Sequence, residues 1–173
     1  MAETDMDPMI ITAEKLRDMK ADEAVRMVRE LCAQLSAEAE SFHGNIWPGN
    51  IRFDWEGKAV LGGSSDVPAD SREPEQVEYL SPEFFWDGTG SAASDVYSLG
   101  MLLYAGCSGG YLPFQPRGGL MTSKDRSGAL RKRMKGEPVA VPSGVTPALG
   151  DVIKKALAYD AEDRYISAAE LLR

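Results

Sequence analysis

The chain has 173 residues, of which 43% are hydrophobic and 27% charged, and its formal net charge is −8. Length and composition are typical of one globular domain with a sizeable core. The acidic balance argues against nucleic-acid binding, which needs positive charge facing phosphates, and against adhesion to an anionic membrane surface.

The N-terminal residues are acidic and lack an apolar signal sequence, and no apolar run approaches the roughly 20 residues of a membrane-spanning helix. We therefore expect a cytoplasmic location and no membrane segment within this chain. Two cysteines and one histidine are present, and none of them has metal-ligand spacing. The sequence therefore predicts neither a metal site nor a cofactor.

Helical periodicity is the main signal in the first third of the chain. Residues 12–41 are predicted to form two helices, the first capped by Thr12 and the second beginning near Asp22. Residues 51–61 alternate around a turn and predict a short β-hairpin. Residues 62–78 have no periodicity and predict a loop, and residues 82–91 are predicted to be irregular.

Further along the chain, four more helices are predicted. Residues 93–107 are apolar on nearly every side, which is typical of a central buried helix. Residues 123–135 are expected to form a basic surface helix. Thr146 and Pro147 predict the start of the next helix, and a last helix is expected to begin near Ser167.

One segment carries a recognisable chemical pattern. The sequence HGNIWPGNI at residues 43–51 resembles the catalytic loop of protein kinases, which reads H-R-D-L-K-P-x-N-I. His43 and Asn50 are kept at the right spacing. The proton-accepting Asp is replaced by Asn45, and the phosphate-contacting Lys is replaced by Trp47.

Other segments resemble kinase motifs in the same order along the chain. These are YLSPE at 79–83, SDVYSLGMLLY at 94–104, PF at 113–114, DAEDR at 160–164 and SAAELL at 167–172. The resemblance covers about residues 22–173 and is to kinases of the bacterial Ser/Thr type. It implies a mainly α (α+β) fold, that of the kinase C-terminal lobe (C-lobe), with one short β-hairpin and no complete small lobe.

The same resemblance implies the domain organisation and several structural residues. Residues 1–11 would be an N-terminal tail and 12–173 the C-lobe, within which 62–83 form an activation-segment-like loop (the activation segment). We expect Glu83 to pair with Arg164, and Asp95 to accept hydrogen bonds from the catalytic-loop backbone. Residues His43 and Asn50 are expected to fix that loop, and Asn50 is the only retained position of metal-ligand type.

The reactive groups of a kinase are missing from the matched positions. Asn45 carries an amide, which does not accept a proton at useful pH, and Trp47 offers no cation to a phosphate. Gly63 stands thirteen residues after Asn50, at the usual place of the metal-binding Asp; Asp66 comes three residues late. The chain also has no G-x-G-x-x-G loop. These absences predict that the chain is not an enzyme.

Two functions remain open from the sequence. The leading hypothesis is a catalytically inactive kinase-like (pseudokinase) domain, which acts as a protein-binding, scaffolding or regulatory module in signalling. The alternative is a weak or trans-completed Ser/Thr protein kinase, an ATP-dependent phosphotransferase. A protein partner or a second copy is expected to bind through the face that the small lobe normally covers, near Trp47. A second candidate interaction surface is the basic run Arg131, Lys132, Arg133 and Lys135.

Overall fold

The computed structural model describes residues 9–10, 13–37 and 42–172. In this part of the chain, helices surround one buried helix, and a small sheet lies at one side. The helices are α1 (Ala13–Asp18), α2 (Ala21–Ala37), α3 (Pro74–Val77), α4 (Pro82–Asp87), α5 (Ala92–Cys107), α6 (Ser123–Met134), α7 (Pro147–Ala156) and α8 (Ala168–Leu172). The strands are β1 (Met9–Ile10), β2 (Ile51–Phe53) and β3 (Ala59–Leu61).

Helix α5 is the centre of the core. Every residue from Ser94 to Gly106 is buried, and α1, α2, α7 and α8 all contact this helix. The side chains of Leu99, Met101 and Leu102 are fully buried, and each such burial stabilises the fold by about 1.5–3 kcal/mol. The predicted central helix and the mainly α fold are confirmed.

The sheet has the order β1–β2–β3 with antiparallel neighbours, so the hairpin predicted for residues 51–61 is confirmed. Its turn is closed by Asp54, whose Oδ1 accepts hydrogen bonds from the backbone N–H of Glu56 and Lys58, both at 2.9 Å. On the outer side of β3, the Gln34 amide of α2 bonds Ala59 O at 2.6 Å and Leu61 N at 2.9 Å. Strand β1 adds a third strand from the segment predicted to be a tail.

Two stretches differ from the expectation of irregular structure. Helix α4 lies within residues 82–91, because Pro82 supplies a φ suited to a first helical residue and Gly88, at φ 69°, ends the helix. Within residues 62–78, a 3₁₀ turn at Ala69–Ser71 and the single turn of α3 interrupt the loop. The predicted cap Thr12 lies outside the described residues.

Close helix packing predicts the effect of two matched glycine substitutions. A Cβ at Gly106 of α5 would stand 2.6 Å from Ala24 Cβ in α2, whereas a Cβ at Gly128 of α6 would have no neighbour within 4 Å. We expect Gly106→Ala to lower the free energy of unfolding by about 1–3 kcal/mol through overpacking. Gly128→Ala should raise it by up to about 1 kcal/mol through helix propensity. Urea unfolding measures both, and equal effects of the two variants would contradict the packing seen here.

Candidate functional site

The backbone of the catalytic-loop sequence is held by one buried carboxylate. Asp95, in the first turn of α5, accepts hydrogen bonds from His43 N at 2.7 Å and from Gly44 N at 2.9 Å. Burial raises the pKa of Asp95 to about 6, although the two backbone hydrogen bonds act in the opposite direction. Gly44 has φ 75°, and a Cβ at this position would collide with Ser65 O, so the bend requires glycine.

His43 connects this loop to the start of the activation segment. Its Nε2 lies 2.8 Å from Gly62 O, and its Nδ1 accepts a hydrogen bond from Asn45 N at 3.2 Å. These partners assign the neutral tautomer with the proton on Nε2. The backbone carbonyl of His43 also accepts from Ser65 N at 2.9 Å. The histidine therefore holds two segments together through structural contacts.

The structure brings four predicted positions into one hydrogen-bond network. The amide of Asn45 donates from Nδ2 to Gly63 O at 2.9 Å, and its Oδ1 accepts from Trp47 Nε1 at 2.9 Å. Gln76 Nε2, from α3, donates to the same Oδ1 at 3.0 Å. Asn50 Nδ2 donates to Asn45 O at 2.8 Å and to Gly63 O at 3.1 Å.

This network uses the amides of Asn45 and Asn50 for structure. An amide at position 45 does not act as a general base, and Gly63 supplies no carboxylate to a metal ion. In the described ranges, no group of three or more His, Cys, Asp or Glu side chains is placed to hold a metal. These residues therefore do not by themselves fit a Mg²⁺–nucleotide complex.

Trp47 is half-buried and packs against the core. Its ring lies over Gly49, where an added Cβ would collide with the six-membered ring of the indole. The indole N–H is satisfied by Asn45. Trp47 is thus fixed by packing on one side and by a hydrogen bond on the other.

Arg72 was not predicted from the sequence, yet it anchors the activation segment. Its guanidinium donates to Gly44 O, to Ser65 O at 3.1 Å and to Val67 O, from Nε, at 2.6 Å. It also lies 4.9 Å from the centre of the Phe84 ring. One sequence signal could have indicated this role, because Arg72 is the only Lys or Arg between Lys58 and Arg117.

Glu83 and Arg164 form a bidentate ion pair. Arg164 Nη2 lies 2.8 Å from Glu83 Oε1, and Arg164 Nη1 lies 2.9 Å from Oε2. Ser94 Oγ also donates to Oε2 at 2.6 Å. Burial alone would raise the pKa of Glu83, but the hydrogen bonds and charge of Arg164 and the Ser94 hydrogen bond together lower it. The stabilisation from Glu83 is therefore present at neutral pH and is lost as the pH falls through that lowered pKa.

The predicted basic surface needs a correction at one residue. Arg131, Lys132 and Lys135 are exposed, but Arg133 is only 2% exposed. Arg133 donates to Pro113 O at 3.0 Å and to Glu78 O at 3.2 Å. The periodicity of α6 explains this, because Arg133 lies four residues after the buried Ala129 and faces the core with it.

The fold is the mainly α fold expected of a protein kinase C-lobe. A family model described as protein tyrosine and serine/threonine kinase matches residues 62–171, and the chain therefore belongs to the protein kinase family.

Among the residues that the structure describes, no helix combines the length and apolar character needed to cross a membrane.

The chain is similar in sequence to three known proteins. It is 37% identical over 154 residues to the serine/threonine-protein kinase PknL of Mycobacterium tuberculosis H37Rv. This match covers 83% of this chain and 37% of PknL. It is 26% identical over 168 residues to PknB of the same strain, covering 88% of this chain and 26% of PknB. It is also 31% identical over 99 residues to spermatocyte protein spe-8 of Caenorhabditis elegans. This match covers 56% of this chain and 18% of spe-8. The chain thus spans about a quarter of PknB and just over a third of PknL.

The family match corrects one expectation. The prediction that the chain is not an enzyme is wrong at the level of protein class, because the family model and the relatives PknB and PknL are protein kinases. The loss of carboxylates at positions 45 and 63 misled that prediction. A missing side-chain group at one position affects the rate of a reaction. Membership of the family depends instead on the sequence pattern over the whole matched range, residues 62–171.

A pH series tests the role of Asp95. Because the pKa of Asp95 is about 6 in the folded chain and ordinarily 3.8, its stabilisation is complete below about pH 3.8 and is lost as the pH rises through about 6. We expect the free energy of unfolding of wild type, minus that of Asp95→Asn, to fall by up to about 3 kcal/mol between pH 4 and 7. Urea unfolding at each pH measures this difference. A difference that stays flat or rises would contradict the assignment.

A pair of arginine substitutions tests the ion pair. Arg164→Met leaves the Glu83 carboxylate without its partner, and we expect a loss of about 3–5 kcal/mol in the free energy of unfolding. Arg17→Met is the matched control, because Arg17 pairs with Asp18 at 3.8 Å on the exposed surface of α1. The control should change stability by less than about 0.5 kcal/mol. Similar losses in both variants would show that the Glu83–Arg164 contact stabilises the fold no more than an exposed ion pair does.

Proposed function

We propose that the chain acts in serine/threonine protein phosphorylation as a kinase C-lobe with weak phosphotransfer activity. In this role it holds and presents the activation segment to a protein substrate, and a small lobe in the same or another polypeptide binds the nucleotide. The supporting observation is the three-way anchoring of the frame by Asp95, Arg72 and the Glu83–Arg164 pair. The similarity to PknB and PknL, which are named as serine/threonine-protein kinases, supports the reaction class.

The chemistry of phosphoryl transfer makes such a weak activity reasonable. Catalysis of this reaction depends mostly on positioning and charge neutralisation, with little covalent work for the protein. A general base contributes about 10²–10⁴-fold to a rate, which is a part of the total acceleration. An amide at Asn45 therefore lowers the rate without removing the contribution of the positioned segments.

The hairpin face is the proposed contact for the small lobe. Trp55 and Val60 on the hairpin are 63% and 41% exposed, and apolar surface of this kind is what an interaction site buries. Trp47 is half-buried and precedes the hairpin in the chain. Its side chain would form the inner edge of this contact. A second copy of the chain is the competing occupant of the same face.

A second candidate function is protein binding and scaffolding by the same frame, with a regulatory role. One observation favours it: the exposed cations Arg131, Lys132 and Lys135 lie together at the C-terminal end of α6, in a chain whose net charge is −8. Local positive charge on an acidic protein suits an acidic partner surface and speeds association at low salt. This partner surface excludes Arg133, which is buried.

Restoring the missing carboxylate tests the main proposal. We expect the purified chain, mixed with Mg²⁺–ATP or Mn²⁺–ATP and a small-lobe polypeptide, to transfer labelled phosphate slowly to a generic Ser/Thr substrate. Asn45→Asp should raise this rate by about 10²–10⁴-fold, since a general base is returned to the loop. Asn45→Ala should not raise the rate, because it returns no base and also removes the side-chain hydrogen bonds of Asn45 to Gly63, Trp47 and Gln76.

The outcomes separate the two candidates. Phosphate transfer that rises in Asn45→Asp and not in Asn45→Ala supports the phosphotransfer role. No transfer by wild type or Asn45→Asp, together with no ATP-dependent rise in thermal unfolding temperature, would rule that role out. Specific capture of a partner that weakens on Arg131→Glu and Lys132→Glu, with unchanged unfolding temperature, would then support the scaffolding role.

A further inference from the structure

Arg133 is a buried cation without a carboxylate partner. Its side chain is almost fully enclosed, and no carboxylate oxygen of the described residues lies within 4.0 Å of it. Two of its nitrogens donate to backbone carbonyls, but Nε has no hydrogen-bond partner among the described residues. Buried guanidinium groups are normally paired with an anion, so this arrangement leaves positive charge and one donor uncompensated.

The charge of one carboxylate, Glu78, acts on Arg133 but does not remove the imbalance. Glu78 contributes favourable charge to Arg133, but its Oε2 pairs with Arg126 at 3.5 Å. The hydrogen bond from Arg133 goes to the backbone carbonyl of Glu78 instead. The charge of Arg133 is therefore only partly balanced within the described part of the chain.

A cavity of about 210 Å³ lies beside this side chain, between α5, α6 and α7. It is lined by Arg133, Tyr97 and Lys154, by the 136–139 turn after α6, and by residues 157–159 after α7. Its volume exceeds the roughly 30 Å³ share of one water molecule several-fold. Exposed Lys154 and Tyr159 at its rim leave it open to solvent.

The lining offers donors and one opposing charge. Burial raises the pKa of Tyr97, although the charge of Arg133 and a hydrogen bond with it act in the opposite direction, so the cavity wall carries a protonated phenol beside the guanidinium. Lys154 adds an ammonium group, and the exposed Glu137 adds a carboxylate that would repel an anion. A guanidinium, a phenol and an ammonium are the donor types that bind oxyanions.

We propose that this cavity is a binding site for a small oxyanion such as phosphate, held by Arg133 at its inner wall and by Lys154 at its mouth. The oxyanion is free phosphate or the phosphate of a modified side chain, since both present the same oxygens. The site lies apart from the Asn45–Asn50 network, and it does not depend on phosphotransfer by the chain.

Charge-neutralising variants at the rim provide the test. Inorganic phosphate is titrated into the full chain, with sodium chloride at matched ionic strength as reference, and the dissociation constant is measured by calorimetry and by phosphorus NMR. We expect saturable binding of phosphate that Lys154→Gln weakens by about three- to ten-fold, through loss of one charge-assisted hydrogen bond. Glu137→Gln should strengthen it by about two- to three-fold, through loss of repulsion.

Lys124→Gln is the matched control, because it removes the same charge from an exposed position that does not line the cavity. It should change the affinity by less than two-fold. O-phosphoserine is titrated in parallel; comparable affinity assigns the site to a phosphorylated side chain, and weaker affinity assigns it to free phosphate. Absence of saturable phosphate binding, or equal affinities in Lys154→Gln, Glu137→Gln and Lys124→Gln, would overturn the proposal.

Discussion

The carboxylate of Asp95 is the contact on which the rest of the candidate site depends. It sits at the start of the most buried helix and fixes the backbone at His43 and Gly44. The position of His43 then decides where Gly62 and Ser65 lie, and Gly44 supplies a carbonyl to Arg72. Because the pKa of Asp95 is raised, keeping its carboxylate ionised at neutral pH lowers the free energy of unfolding. The fold keeps these backbone contacts in spite of that loss.

Two arginine side chains hold the activation segment. Near its beginning, the half-buried Arg72 bonds the backbone carbonyls of Ser65 and Val67, and it also bonds Gly44 of the catalytic loop. At its end, Glu83 and Arg164 neutralise each other in bidentate geometry. Arg72 fixes the position of the segment because its several donors reach different carbonyls. The Glu83–Arg164 pair adds stronger, charge-assisted hydrogen bonds. Together they keep the segment ordered even though Asn45, Trp47 and Gly63 have replaced reactive groups.

The sequence predicted the elements whose signal is local and periodic. The apolar helix around Leu99 and the hairpin from Ile51 to Leu61 follow from patterns of a few residues, and they are confirmed. The burial of Arg133 was missed, since this residue looks like one more cation in a basic run until its packing beside Ala129 is known. Arg72 was missed for the same reason: its acceptors lie up to 28 residues away in the chain. Catalytic class was misjudged because it was inferred from single positions.

The amide of Gln34 shows how the small sheet ends. Its two groups bond Ala59 O and Leu61 N in the way a neighbouring strand would. An open strand edge is a template for pairing with other chains, which leads to aggregation or domain swapping. By occupying the β3 edge with a single side chain from α2, the chain blocks further strand pairing on that side of the sheet, so Gln34 opposes edge-to-edge association as well as stabilising the fold.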